Sequence, residues 1–173
     1  MRVVAGAYKG RRLHAPRGQQ TRPTSDRVRE ALFSILGDVS GLRVLDLYAG
    51  SGALGIEALS RGASEAVFVD RDPRAIAAVR RNLDAVGAEA AVVQAHATSF
   101  TGRRQAGYDL VFVDPPYDAA AGLAAALSEG LPGLLNEDAR IVTESDKRQP
   151  LLLDLPLDLE RTYGDTRIAV HRA

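Results

Sequence analysis

The sequence predicts an α/β fold built on a mostly parallel, doubly wound sheet. Three observations predict it. Short apolar, β-rich runs alternate with helical stretches along most of the chain. A glycine-rich segment, Ala49-Gly50-Ser51-Gly52-Ala53-Leu54-Gly55, lies between one such run and a helix, with G-x-G-x-x-G spacing at Gly50, Gly52 and Gly55. The run Leu110 to Val113 is wholly apolar, as in a strand buried on both faces, and stops at Asp114-Pro115-Pro116-Tyr117. The two prolines have no N–H with which to continue a ladder, and proline keeps the residue before it extended.

In chain order, Arg2 to Ala5 and Arg11 to Ala15 are strand-like pieces around Gly6 and Lys9-Gly10, which predicts a β-hairpin. Pro16, Gly18 and Pro23 break the chain beyond it. Thr24 or Ser25 caps a helix over 26–36, whose apolar face is Val28, Ala31, Leu32 and Ile35. Arg27 and Arg29 fall off that stripe and extend a basic surface. A strand over 43–47 ends at Asp46-Leu47-Tyr48, and the glycine segment leads into a helix over 53–60. A second strand over 66–69 ends at Asp70. The amphipathic helix over 74–86 has Ile76, Val79 and Leu83 in phase, and a third strand covers 90–94. The loop Ala95-His96-Ala97-Thr98 precedes the strand at 110–113. A helix over 119–127 and a fifth strand over 140–143 come next. Runs over 157–163 and 166–171 alternate about Gly164-Asp165, a hairpin signal.

At 173 residues the chain is long enough for one domain with a sizeable core. A composition of 46% hydrophobic and 25% charged residues is that of an ordinary soluble domain, so a cytoplasmic protein is expected. The absence of Cys excludes disulfides, a thiolate nucleophile and Cys-ligated zinc. His14 and His171 show no ligand spacing, so no metal site is expected. The net charge of zero hides an asymmetry. Residues 1–25 hold Arg2, Lys9, Arg11, Arg12, Arg17 and Arg22 and no acid. Taking those six from the 22 basic residues leaves 16 against 22 acids, so the arm is +6 and the remainder −6. Clustered positive charge beside an acidic body fits a phosphate backbone; the bland alternative is a solvated terminus.

The chemistry concentrates at the carboxyl ends of the strands, where open α/β sheets bind ligands. An ionised Asp and a proline carbonyl only accept hydrogen bonds. Asp114 and Pro115 together suit an –NH2 group, which has two hydrogens to give, and Tyr117 stacks on a flat ring carrying that amine. The bland alternative is a strand followed by a rigid turn. Asp70 lies 20 positions after Gly50, about where an acid binds the hydroxyls of an adenosine ribose; a helix cap near Pro73 is its other reading. A nicotinamide dehydrogenase would share these features, but needs a substrate domain and a proton-transfer residue for which little chain remains. An S-adenosylmethionine enzyme uses them all, with Asp46 on the methionine ammonium and Asp114 on the acceptor amine.

The chain resembles the RsmD family of methyltransferases, which act on the 2-amino group of a guanine in 16S ribosomal RNA. The resemblance rests on Arg2-Val3-Val4-Ala5-Gly6, Lys9-Gly10-Arg11-Arg12-Leu13, the segment from Thr21-Arg22-Pro23-Thr24 to Phe33, the segment from Val44 to Gly55, and Asp114-Pro115-Pro116-Tyr117. Asp-Pro-Pro-Tyr alone is shared with methyltransferases of adenine, cytosine and glutamine amides; joined to Thr-Arg-Pro-Thr it is far more specific.

The resemblance implies a Rossmann-like S-adenosylmethionine-dependent methyltransferase fold of class I. Its sheet has seven mostly parallel strands, with an antiparallel last strand and an N-terminal β-hairpin over 1–20 ahead of a methyltransferase domain over 21–173. It implies that Asp114, Pro115, Pro116 and Tyr117 form the catalytic set. The cofactor, S-adenosylmethionine, would be held by Tyr48, Ala49, Gly50, Ser51 and Gly52, by Asp70 with Arg71 at the ribose, by Asp46 at the amino acid end and by Thr24 near the methionine carboxylate. Related families carry an Asp after the third strand that takes the adenine amine. Here His96 follows Ala95, so the contact falls to His96, whose bland alternative is a plain loop residue, or to the backbone of Ala97. RNA would meet Arg2, Lys9, Arg11, Arg12, Arg22 and Arg27. The implied partner is 16S ribosomal RNA, bare or within the 30S subunit or an assembly intermediate, and a monomer without a membrane partner is expected. The rival readings are a methyltransferase of another amine, such as an adenine amino group or a protein glutamine amide, and a non-catalytic RNA-binding module on the same fold.

Overall fold

The computed structural model describes residues 1–16, 25–102, 107–116 and 120–173. Arg22, Thr24 and Tyr117 therefore lie outside the described residues. The elements in chain order are α1 (Asp26–Leu36), β1 (Arg43–Leu47), α2 (Ala53–Ser60), β2 (Glu65–Asp70), α3 (Pro73–Val86), β3 (Ala91–Gln94), α4 (Ala97–Thr101), β4 (Tyr108–Val113), α5 (Ala120–Gly130), a 3-10 turn (Pro132–Leu134), β5 (Leu135–Asp146), β6 (Leu157–Tyr163) and β7 (Thr166–Arg172).

The seven strands form one sheet in the order β3-β2-β1-β4-β5-β7-β6. Strands β1 to β5 pair in parallel, and β7 runs antiparallel to both β5 and β6. From β1 the chain winds outward through β2 and β3, then returns to place β4 on the other side of β1. The reversal of direction falls between β1 and β4, and in such sheets the ligand crevice opens at the carboxyl ends of those two strands.

Each sheet face has its own core. Phe33 and Leu36 of α1, Ile56 of α2, and Val79 and Leu83 of α3 pack on Val44, Phe68, Leu110 and Phe112. Phe100 of α4 and Leu127 of α5, with Leu131 just beyond it, pack on Leu45, Val67, Val111 and Ile141. Alternate residues of each strand feed opposite faces, the strand period of two in a sheet covered on both sides. The Phe33 and Phe112 rings, 5.8 Å apart, fix α1 over β4. α1 begins where the hydroxyl of Ser25 accepts from the Val28 N–H at 3.2 Å, so Ser25 is its cap. Asp72, not Asp70, caps α3, accepting from the Arg74 N–H at 2.8 Å.

The N-terminal segment turns back on itself as the hairpin reading requires, but its ladder is a single antiparallel bridge between Arg2 and Arg12. Four of its N–H groups are used elsewhere. Val4 and Ala5 donate to the Glu57 carboxylate at 2.8 and 3.0 Å, Ala7 to the Ser60 carbonyl at 2.7 Å and Tyr8 to the Ser60 hydroxyl at 2.9 Å. Val3 and Leu13 are buried in the core under α1 to α3. Arg29 departs from its expected place on a basic surface. It is fully buried, donates to the Arg2 carbonyl and to Asp26, and lies 3.5 Å from Glu57. The expected loop after β3 contains the short helix α4, and β5 extends well beyond the expected 140–143 at both ends.

Candidate active site

The glycine segment is held by two carboxylates. Asp46, next to last in β1, accepts from the Gly55 N–H at 2.9 Å in the first turn of α2. Asp70, at the end of β2, accepts from the Gly50 N–H at 2.9 Å through one oxygen and from the Asp72 N–H at 2.9 Å through the other. The turn closes on itself as the Gly52 N–H donates to the Ala49 carbonyl at 2.6 Å. Gly55 lets α2 lie close against the sheet. A Cβ there would stand 2.4 Å from the Phe68 ring and 3.1 Å from Asp46, so only glycine fits. Tyr48 enters the loop at φ 61°, a strained value for a side-chain-bearing residue and one often found at binding sites. Burial pushes its hydroxyl up to about 12.

Across the switch point, Asp114 follows directly on β4 and stays partly exposed, Pro115 is buried and Pro116 is exposed. Val113 pairs with Thr143, so the next step of the register sets Asp114 beside Glu144 of β5. Asp46 shares its row with Phe68 and Phe112, and strand alternation puts Asp46, Asp70, Asp114 and Glu144 on one sheet face. Asp46 and Glu144 are both buried. Burial pushes the Asp46 carboxyl up to about 8, against the Gly55 hydrogen bond and with help from the Asp70 charge. Burial also holds Asp114 well above the usual carboxylate range, with the charges of Glu144 and Asp46 adding to it.

Glu144 is not among the residues that the sequence singles out. Its signal is a single acid at the end of the apolar strand run Ile141-Val142-Thr143.

The other expected cofactor residues divide. Ala49 and Ser51 are buried in the loop, whereas a Cβ built on Gly50 would have only the Tyr48 carbonyl nearby, at 3.8 Å. That side of the loop is open. Arg71 is exposed, and its carbonyl accepts from Gln94. His96 is exposed at the start of α4 and makes no side-chain cap bond, while Ala97 is buried beside it. Asp46, Asp70, Asp114 and the glycine loop are thus brought to the carboxyl ends of adjacent strands. Arg2, Lys9, Arg11, Arg12 and Arg27 lie on the exposed surface of the arm and α1.

The donor set decides which ligand fits. Four acids on one sheet face favour a cation, because a positive charge beside them offsets the burial, and the smaller mutual repulsion, that raise Asp46 and Asp114. A sulfonium or an α-ammonium group meets that condition, and the open glycine loop leaves room for an adenosine. The residues present therefore fit S-adenosylmethionine.

Comparison with known proteins agrees. The profile of a family described as "Conserved hypothetical protein 95" matches residues 1–172. The chain belongs to this family, the RsmD family. It is 40% identical over 187 aligned residues to a putative rRNA methyltransferase, YlbH, of Bacillus subtilis, covering 99% of this chain and 98% of the relative. It is 39% identical to ribosomal RNA small subunit methyltransferase D of Escherichia coli, covering 84% of this chain and 75% of the relative. Among solved structures, the putative methyltransferase yhhF of Escherichia coli superposes with a TM-score of 0.84 at 34% identity, covering 99% of this chain and 97% of the other.

Proposed function

We propose that this member of the RsmD family transfers a methyl group from S-adenosylmethionine to the exocyclic 2-amino group of a guanine in small-subunit ribosomal RNA. One observation carries the reading. Asp114 and Pro115 follow β4, whose neighbour β1 leads into the glycine loop that Asp46 and Asp70 hold in place. The Escherichia coli relative, named as a small-subunit rRNA methyltransferase, supports the choice of RNA.

S-adenosylmethionine supplies an electrophilic methyl group on a positively charged sulfur. Asp46 and the open face of the Ala49–Gly52 turn bind and orient it, with Asp70 at the ribose. The target guanine leaves its stack to reach the crevice, as bases in paired structure must. Asp114, ionised once the sulfonium charge offsets the burial that raises it, would accept one amine hydrogen, and the Pro115 carbonyl the other. The nitrogen lone pair, otherwise delocalised into the ring, is thereby turned toward the loop. Positioning of this kind is worth about 7–11 kcal/mol over a free encounter. Asp114 also favours the positive charge that grows on nitrogen. Its raised pKa suits it to take the amine proton once the carbon–nitrogen bond has formed. Lys9, Arg11 and Arg12 contact the phosphate backbone.

The test is methyl transfer from tritiated S-adenosylmethionine to ribosomal RNA, to 30S particles and to a protein substrate. Label in the 2-amino group of guanine is expected, with Asp114→Ala abolishing transfer while S-adenosylhomocysteine binding changes by less than about threefold. Label in protein or in adenine, or full activity of Asp114→Ala, overturns the assignment.

A further inference from the structure

Asn82 is a fully buried amide on α3, a helix whose other inward residues are apolar. Such a residue demands partners, because an unpaired buried amide costs more than its net bond is worth. It has three. Its Oδ1 accepts from the His14 N–H at 2.8 Å, and its Nδ2 donates to the His14 carbonyl at 2.9 Å and to the Ser51 carbonyl at 2.8 Å. Two carbonyls on one side and an N–H on the other fix the orientation of the amide, since the flipped form would set oxygen against both carbonyls. One side chain therefore joins the arm, at His14, to the glycine loop, at Ser51. The arm and the loop touch a second time, where the Ser51 hydroxyl lies 3.4 Å from the Met1 sulfur.

We propose that Asn82 is a positioning residue that couples the RNA-facing arm to the cofactor loop, so that each is held better when the other is in place. The proposal rests on the reading of the loop as an S-adenosylmethionine site. The Ser51 carbonyl is turned inward to Asn82, which leaves the opposite face of the turn to the ligand. The other two bonds of the same amide pin the arm's last described stretch. Ordering either partner lowers the cost of ordering the other, and such coupling is reciprocal.

The experiment measures S-adenosylhomocysteine affinity by calorimetry, together with amide exchange at Val3, Gly10 and Leu13, whose N–H groups close the arm. In the unaltered protein, S-adenosylhomocysteine is expected to slow exchange at all three. Asn82→Ala should weaken binding about tenfold, the scale of one to two hydrogen bonds, and abolish that slowing. The second variant, Gly6→Ala, leaves Asn82 and the loop intact. It must lift the arm, because a Cβ at position 6 would stand 1.7 Å from the Ser60 carbonyl oxygen. It should weaken S-adenosylhomocysteine several-fold from a distance, and add nothing further in the Asn82→Ala background. Unchanged affinity of Gly6→Ala, additive effects in the double variant, or arm protection that still responds in Asn82→Ala overturns the coupling alone. Failure of the unaltered protein to bind overturns the site reading as well.

Discussion

At the scale of the residue, the crevice is built from groups that the fold alone does not favour. Asp46 is held protonated up to about pH 8 in the folded chain, whereas it ionises near 3.8 when free. Between those values the folded state binds a proton that the unfolded state has released, so its contribution to stability falls as pH rises through that window. Asp46→Asn keeps an acceptor for the Gly55 N–H and removes the buried charge. It should raise the melting temperature of the ligand-free protein at pH 8 by about 2–4 °C per kcal/mol gained, with the gain shrinking toward pH 4. Thermal melts at the two pH values read this directly, and a gain that grows on acidification would refute it. The same variant should weaken S-adenosylmethionine binding, because Asn cannot ionise to meet the positive charge of the ligand. Asp46, Asp70 and Asp114 are legible in the sequence because each sits where an apolar run ends. Glu144 also follows a strand run, Ile141-Val142-Thr143, but no glycine spacing or proline pair marks it; the antiparallel pairing of β5 with β7 carries the strand on through Asp146. Arg29 escapes the sequence for a related reason. Helical spacing shows which face of α1 meets the sheet, and says nothing of a second face covered by the arm.

At the scale of the element, the arm shows how a charged group replaces a β-ladder. Glu57 is fully buried in α2 and receives the N–H groups of Val4 and Ala5 as well as Arg61 at 2.8 Å, with Arg29 nearby. Glu57→Ala leaves the buried Arg29 guanidinium without this anion and two backbone donors without an acceptor. Removing one partner of a buried pair typically costs about 3–5 kcal/mol. The urea midpoint should fall accordingly, and limited proteolysis should cut within residues 1–16 before the rest of the chain. A loss below about 1 kcal/mol with an uncut arm would show that Val3 and Leu13 alone seat it. The sequence places α1, β1 and α2 to the residue, since a cap, a short strand run and a glycine turn are local signals. The arm's long-range anchor on Glu57 is not local, and alternation alone suggests two strands where one bridge forms.

At the scale of the whole molecule, the charge distribution poses a problem for an RNA enzyme. The body beyond the arm is net −6, and Asp46, Asp70, Asp114 and Glu144 share one sheet face at the site that a polyanion must approach. The arm supplies the counterweight. Lys9, Arg11 and Arg12 are exposed, and none of the three forms an ion pair among the described residues, whereas Arg2 is engaged with Asp26. Docking through backbone N–H groups keeps these side chains free for phosphate. The triple variant Lys9→Glu, Arg11→Glu, Arg12→Glu should therefore weaken RNA binding while leaving S-adenosylhomocysteine affinity and the melting temperature nearly unchanged. The salt dependence is the sharper reading. Removing each phosphate contact should flatten the slope of log affinity against log salt by about 0.7 for single strands or about 0.9 for duplex, so the loss of all three flattens it by about 2–3. Filter binding of small-subunit rRNA fragments between about 50 and about 300 mM salt measures that slope. A slope that stays the same while affinity falls would mean that the arm acts through shape rather than charge, and would move the phosphate-binding surface elsewhere on the protein.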